Sequence, residues 1–384
     1  MSRPSRAWAE ISLENIAHNA DRVREIVGPD TKLMCVVKAD AYGHGVEGVV
    51  PVLIGHGADI LAVASLDEGI QLRKMGVGIP VLILGYTDPE RACEVVEYGL
   101  SQTVFSYELG KALSEAASAK NSIATIHIKT DTGMGRFGII PGQGDIELIS
   151  DLCKLPGINA EGIYTHFADA DSDDTAYTEE QFLKFTDLVS RLESNGIRFK
   201  LKHACNSAAI LKFPHMHMDM VRPGIILYGI SPSKEIDVIS KGFKPVMSLV
   251  STVAMVKTIK AGSYVSYGRT YEAKTEKRVA TISIGYADGY LRALSNCGEV
   301  LIKGFRYKIA GTICMDACVV DISDPDKSID QGDDVVFIGS SGEDEISIDE
   351  VAAHLGSISY EVVCTIGRRV PRVFVDGNGN RKVR

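Results

Sequence analysis

The chain has 384 residues, 45% of them hydrophobic, and a formal net charge of -9. That length exceeds one ordinary core and predicts two domains, while the acidic balance argues against nucleic acid and anionic membranes, which attract basic surfaces. Gly, His and Asp interrupt each apolar run before it could span a bilayer, and the first six residues lead into Ala7-Trp8-Ala9-Glu10-Ile11 without a signal-peptide hydrophobic region, so a cytoplasmic protein is expected.

From Lys32 to about Gly229, short β-rich runs alternate with helical patterns. The pattern predicts strands at Leu33–Val37, Ile60–Val63, Val81–Leu84, Gln102–Phe105, Ala124–Lys129, Asn159–Tyr164, Lys200–Ala204 and Met218–Val221. Helical spacing recurs between them, as in Ser106–Ala119, where Leu109, Ala112, Leu113, Ala116 and Ala117 share a face, and in Glu179–Asn195. Eight strands, each followed by helix or loop, predict an α/β fold of the (β/α)8 TIM-like barrel type; a doubly wound sheet is the alternative. After Lys244-Pro245 alternating runs dominate: Ser251–Ile259, Arg278–Ile284, Val300–Lys303, Lys308–Ile313, Cys318–Ile322 and Asp334–Ile338. They predict a mainly antiparallel β domain, and the expected division is 1–243 and 244–384. A late helix is expected from Ser347, with Glu350 completing a capping box, to about Gly356; a second short helix would hold Tyr360, and Gly377–Arg384 reads as a frayed terminus.

The eight cysteines, at 35, 93, 153, 205, 297, 314, 318 and 364, lie mostly in apolar segments, which suits reduced, buried thiols better than a disulfide framework. Cys314 and Cys318 have no second ligand pair, and His215, His217 and Asp219 alternate with methionines near a strand. Both groups read as structural, and no metal is expected.

Barrel enzymes collect their chemistry at the carboxyl ends of the strands. Those positions carry Lys38 after the first strand of the run, Lys129 and Arg136 around the fifth, His166 after the sixth, Asn206 and Ser207 after the seventh, and Arg222 after the eighth. Lys38 ends an apolar run and opens a glycine-punctuated turn. Partial burial there disfavours the ammonium and makes the amine a base or Schiff-base nucleophile, whereas an ordinary strand-end lysine snorkels to water. Ser207 precedes a helical run, and Gly224-Ile225 offers backbone N–H groups after the eighth strand, where this fold usually cradles phosphate; a helix cap and a plain turn would look the same. A lysine plus a phosphate cradle implies pyridoxal 5'-phosphate (PLP), which needs both. Gly133-Met134-Gly135-Arg136-Phe137-Gly138 imitates the dinucleotide fingerprint, but Thr130-Asp131-Thr132 intervene after the strand and Pro141-Gly142 breaks any helix. The acidic stretch Asp169–Glu180 reads as a solvated surface turn.

Seven segments stand out in order: Val37-Lys38-Ala39-Asp40-Ala41-Tyr42-Gly43-His44-Gly45, Lys129 to Arg136, Asn206-Ser207-Ala208, Val221-Arg222-Pro223-Gly224, Val265-Ser266-Tyr267-Gly268-Arg269, Ile284-Gly285-Tyr286-Ala287-Asp288-Gly289 and Gly311-Thr312-Ile313-Cys314-Met315-Asp316. With Trp8-Ala9-Glu10-Ile11 and Tyr360-Glu361-Val362 they span nearly the whole chain, and in this order they resemble the bacterial alanine racemases.

The resemblance implies a PLP barrel followed by a β domain, with the first strand, about residues 6–11, joining the second domain. It implies interconversion of L- and D-alanine by two bases, supplying D-alanine for cell-wall peptidoglycan, in a homodimer with shared active sites. Lys38 would hold the cofactor and act as one base, Tyr267 of the other subunit would be the opposite base, and His166 and Arg222 would form a relay behind that tyrosine. Arg222 would face the pyridine nitrogen, where a cation that keeps its proton suppresses transamination. Tyr42, Ser207, Gly224, Ile225 and Tyr360 would contact phosphate, and Asn206 belongs to the same cofactor-binding set. Arg136 would meet the cofactor's phenolate oxygen and the substrate. Lys129 corresponds to a lysine carbamylated in many relatives, while Met315 and Tyr286 would shape the substrate entrance. A racemase of serine or other small amino acids, a barrel-type PLP decarboxylase, a non-catalytic PLP carrier and an NAD-dependent oxidoreductase are the alternative readings.

Overall fold

The computed structural model describes residues 6–142, 144–323 and 328–383. In chain order the first nine strands are β1 (Ala7–Ser12), β2 (Lys32–Val36), β3 (Ile60–Val63), β4 (Val81–Ile83), β5 (Ser101–Val104), β6 (Ala124–Lys129), β7 (Ile158–Tyr164), β8 (Leu201–His203) and β9 (Met220–Val221). Strands β2 to β9 form one parallel sheet in the order β9-β2-β3-β4-β5-β6-β7-β8. Between β8 and β9, Asp219 N–H donates to the Lys202 carbonyl (3.2 Å) and Arg222 N–H to the Cys205 carbonyl (3.0 Å), so isolated bonds replace a ladder and the barrel is nearly closed. Strands β3, β4 and β5 are buried at every position, as parallel strands flanked by helices must be.

The second sheet is built around β10 (Met247–Ile259), a 13-residue strand that pairs antiparallel with β1, with Asp334–Ser341 and with Lys277–Ile282. Strand β1 also pairs parallel with Arg372–Val375, so an early and a late strand of the chain lie side by side in one sheet.

Several expectations need correction. The strand placed at Lys308–Ile313 is Phe305–Lys308, which makes a hairpin with Glu299–Ile302. Lys303 (φ 51°) and Gly304 (φ 81°) turn that hairpin, which moves the strand forward by several residues. Gly377–Arg384 is not frayed across its described residues: Arg381–Val383 pairs with Arg372–Val375, and the Asp376 carboxylate organises the turn by accepting from Asn378 and Asn380 N–H. Helix Ile348–Leu355 starts at Ser347, whose hydroxyl accepts from Glu350 N–H (3.0 Å), but the Glu350 carboxylate is engaged by Arg306 rather than by the cap. All eight cysteines are free thiols, yet Cys93, Cys297 and Cys364 are exposed.

The two sheets meet beside the loop after β2. Helix Val46–Gly55, which follows that loop, carries Gly48, where a Cβ would lie 2.2 Å from the Phe374 ring of the second sheet. Gly48→Ala should therefore lower urea-unfolding stability by about 1–3 kcal/mol through overpacking. Gly55→Ala, in the same helix with nothing within 4 Å of its added Cβ, should be neutral or stabilising.

Candidate active site

A cavity of about 270 Å³ opens at the carboxyl ends of the barrel strands. Lys38, Tyr42, Lys129, Arg136, His166, Asn206, Ser207, Arg222, Gly224 and Ile225 line it, joined by Tyr360 from helix Ser359–Thr365. The sequence pattern places these residues one strand end at a time; closing the barrel brings them to one mouth.

Lys38 follows β2 after a single residue, Val37, and the chain then does something L residues avoid. Ala39, Asp40, Ala41 and Tyr42 all have positive φ (52°, 55°, 55° and 52°), one turn of left-handed helix made without glycine. Such geometry costs roughly 1–2 kcal/mol per residue, so groups outside the turn must hold it. Asp40 accepts from Val46 N–H (2.9 Å), and buried Arg372 of the second sheet donates to the Gly43 carbonyl (2.8 Å). Gly43, with φ 77°, approaches helix Ser359–Thr365 so closely that a Cβ would sit 2.3 Å from the Val363 carbonyl. Burial, seconded by the Arg136 cation, lowers the Lys38 amine from its usual value; Glu68 and Cys364 oppose that shift.

Arg222 is 4% exposed and makes four polar contacts within the protein. It donates to the carbonyls of Ala204 (2.7 Å) and Thr165 (2.9 Å) and faces His203 Nδ1 (3.0 Å) and His166 Nδ1 (3.3 Å). Burial brings it down to about 10, which leaves it cationic at neutral pH. Burial first, and Arg222 second, hold His166 and His203 well below the ordinary histidine value, so both rings are neutral. A guanidinium can only donate, and this assigns the tautomers: each Nδ1 accepts, and His203 Nε2–H points to His127 Nδ1, 3.0 Å away. His127 Nε2 then faces Glu161 at 3.9 Å, which ends the chain on a carboxylate held down to about 2, chiefly by that histidine contact.

The glycine-rich segment wraps its own aspartate. Asp131 accepts from Gly133, Met134, Gly135 and Arg136 N–H, and the next helix begins only at Asp145, so those donors are already committed and no fingerprint helix follows. Lys129, beside this loop, donates to the Thr130 carbonyl and lies 5.5 Å from the centre of the Tyr164 ring. His217 bonds the Ile210 carbonyl and His215 faces Glu179; among the described residues no cluster of three or more His, Cys, Asp or Glu is arranged to hold a metal. Among them, too, no helix is long and apolar enough to cross a membrane.

Tyr267, Tyr286 and Met315 do not line this cavity. They are 71%, 38% and 52% exposed, on three loops of the second domain that are stitched together. Tyr286 N–H donates to the Cys314 carbonyl (3.0 Å), Ala287 N–H to the Met315 carbonyl (3.1 Å), and the Thr312 hydroxyl to the Tyr267 carbonyl (2.8 Å). Asp288, buried beneath them, accepts from Arg6 (3.0 Å) and Gly285 N–H (2.9 Å) and pairs with Arg369 (2.9 Å). The sequence reading missed other wall residues. Asp171 lies in the stretch read as a surface turn, although it lines the cavity and helix Ala176–Ser194 begins inside that stretch. Tyr164, another lining residue, ends β7, and the strand-end rule applied strictly would have found it.

Fold and site define the class: a barrel enzyme whose amine, guanidinium and imidazole groups converge at the strand ends, joined to an antiparallel β domain. Comparison with known proteins narrows it. The family descriptions "Alanine racemase, N-terminal domain" and "Alanine racemase, C-terminal domain" match residues 11–232 and 246–374. An alanine racemase of Desulforamulus reducens is 45% identical over 96% of this chain and 98% of its own length. Two solved alanine racemases superpose closely. The one from Clostridium difficile 630 has a TM-score of 0.95 at 38% identity, covering 100% of this chain and 99% of its own. That from Bacillus anthracis with bound L-Ala-P has a TM-score of 0.94 at 37% identity, covering 100% and 98%. The chain belongs to the alanine racemase family.

The Lys129 amine is pushed down to about 7, first by burial and then by Arg222. Between that value and the ordinary lysine value of 10.5, the folded chain binds fewer protons than the unfolded one, so this group makes stability climb with pH across the interval. Lys129→Met should flatten the climb in urea unfolding of the cofactor-free protein between about pH 7 and about pH 9.

Proposed function

We propose that the chain is a PLP-dependent alanine racemase that interconverts L- and D-alanine with two bases and supplies D-alanine for cell-wall peptidoglycan. The observation that carries this reading is the single cavity in which a lysine with a lowered amine, a donor-rich cradle and a buried arginine stand together. The residues fit the cofactor. Ser207 and Gly224 N–H already meet at 2.9 Å, and a Cβ on Gly224 would come within 2.8 Å of the Tyr42 hydroxyl, so the bare glycine keeps the cradle open. Burial raises the Tyr42 and Tyr360 phenols, which stay protonated as donors toward a phosphate, with Ile225 N–H and Asn206 beside them. When bound, the cofactor supplies the electron sink that makes an amino acid's α-proton removable.

The protein's part is to hold and move protons. Lys38, whose amine burial lowers from its usual value, is one base, and Tyr267 of the partner subunit is the other. A single base would tend to return the proton to the face it left. His166 and Arg222, 3.3 Å apart, would stand behind that tyrosine, and Arg222, which keeps its proton at neutral pH, would donate to the ring nitrogen of the bound cofactor. Arg136 would bind the phenolate oxygen and approach the substrate, whose carboxylate would meet Met315 N–H of the partner subunit, with Tyr286 of the partner subunit in the same entrance group. The neutral form of Lys129 is the form that adds carbon dioxide, and its carbamate would give Arg136 an anionic neighbour.

Incubation with a panel of L-amino acids followed by chiral analysis should give D-alanine from L-alanine. Preference for serine would shift the substrate, and carbon dioxide release would replace racemase by decarboxylase. The shared site has its own test. Lys38→Ala and Tyr267→Phe homodimers should each be nearly inactive, and unfolding and co-refolding them together should restore roughly a quarter of wild-type activity, because about half the dimers are mixed and each of those has one intact site. No recovery after confirmed subunit exchange would mean that each site is built within one chain.

A further inference from the structure

Glu68 sits at the third position of helix Leu66–Lys74, where its role as a helix cap is plain. The Ser65 hydroxyl accepts from Glu68 N–H (3.3 Å), and Glu68 Oε2 accepts from Ser65 N–H (3.3 Å) and Ala64 N–H (2.7 Å). A capping box needs only one carboxylate oxygen. The other, Oε1, leaves the helix and accepts from Ala39 N–H at 2.7 Å. That N–H is the first after Lys38 and belongs to the first residue of the left-handed turn. Asp40 and Arg372 hold the far part of the turn, at Val46 and Gly43; Glu68 holds its entry. Because β2 and β3 are neighbours in the barrel, one side chain ties the loop after β2 to the end of β3.

We propose that Glu68 is a positioning residue for Lys38: by gripping Ala39 N–H it sets the direction in which the lysine enters the cavity. The inference rests on the proposal that Lys38 is the residue that bonds the cofactor. Charge adds to geometry here. Burial lowers the Lys38 amine most; of the charged and titratable groups around it, Arg136 lowers it further and Glu68 and Cys364 raise it, so Glu68 also opposes Arg136.

Two substitutions separate the clamp from the cap. In Glu68→Gln the amide oxygen can still serve Ala64 and Ser65, as glutamine does in capping boxes, but its NH2 then faces Ala39 N–H, donor against donor. Ser65→Ala weakens the cap and leaves the carboxylate on Ala39. Full-length wild type and both variants, stripped of cofactor and mixed with PLP, are trapped with borohydride at timed intervals, and pyridoxyl-Lys38 is quantified by peptide mapping beside thermal unfolding of the same samples. Glu68→Gln should slow labelling of Lys38 about tenfold, the rate equivalent of losing one charge-assisted hydrogen bond, with an unfolding midpoint near wild type. Ser65→Ala should lower the midpoint and label at the wild-type rate. Wild-type labelling in Glu68→Gln, equal slowing in Ser65→Ala, or an equal midpoint loss in both would reduce Glu68 to a helix cap and overturn the proposal. If wild type itself failed to label Lys38, the cofactor role of that lysine would fall, and this inference with it.

Discussion

Ala39 to Tyr42 hold a left-handed turn that their own residues disfavour, so the position of Lys38 depends on what grips the turn from outside. Those grips come from distant parts of the chain. Arg372, at the start of the strand that pairs parallel with β1, donates to four carbonyls, those of Gly43, Ile366, Gly367 and Val370. Its partner Gly43 is 329 positions away. Tyr360 reaches the cavity from the same region, and Gly48 leaves room for Phe374 next to it. The second domain is thus part of the site's frame: it braces the turn that presents the barrel's lysine, and it carries the loops with Tyr267, Tyr286 and Met315 on its exposed face.

A second constraint is the buried cation. Arg222 lines the cavity with no salt-bridged carboxylate among the described residues, and its charge is met by two carbonyls and two imidazoles. Because every group it touches must accept, His203 and His127 are each confined to one tautomer, and the polarity runs outward to Glu161 at the far end. Desolvation that would unfold an unpaired charge here instead keeps the neighbouring histidines neutral. The arginine is therefore ordered in both charge and direction before any ligand arrives.

Much of the barrel was legible because parallel strands buried on both faces read as short apolar runs. Strands β3 and β6 begin and end where those runs do. Strand β9 is shorter than expected, Met220–Val221, because Met218 is left-handed (φ 52°) and Asp219 is used to close the barrel on Lys202. In the second domain, alternation alone misplaced the strand at Lys308, since an unforeseen turn at Lys303-Gly304 moved the register. The capping box at Ser347 was half right because Arg306, 44 residues away, took the glutamate. The glycine fingerprint was rightly set aside, and the structure supplies the reason in Asp131.

The sequence by itself determined which chemistry is present and in what order, because strand period and turn residues are local properties and assign Lys38, Lys129, Arg136, His166, Ser207 and Arg222 to strand ends one by one. Only the tertiary structure decided what those groups are. Whether an amine is lowered, an imidazole neutral or a carboxylate free depends on burial and on neighbours far along the chain, and neither is a function of spacing. It also decided that Tyr267 stands exposed outside its own chain's cavity while Tyr360, also carried by the second domain, lines it, since which second-domain residues reach the barrel mouth depends on how the two parts pack.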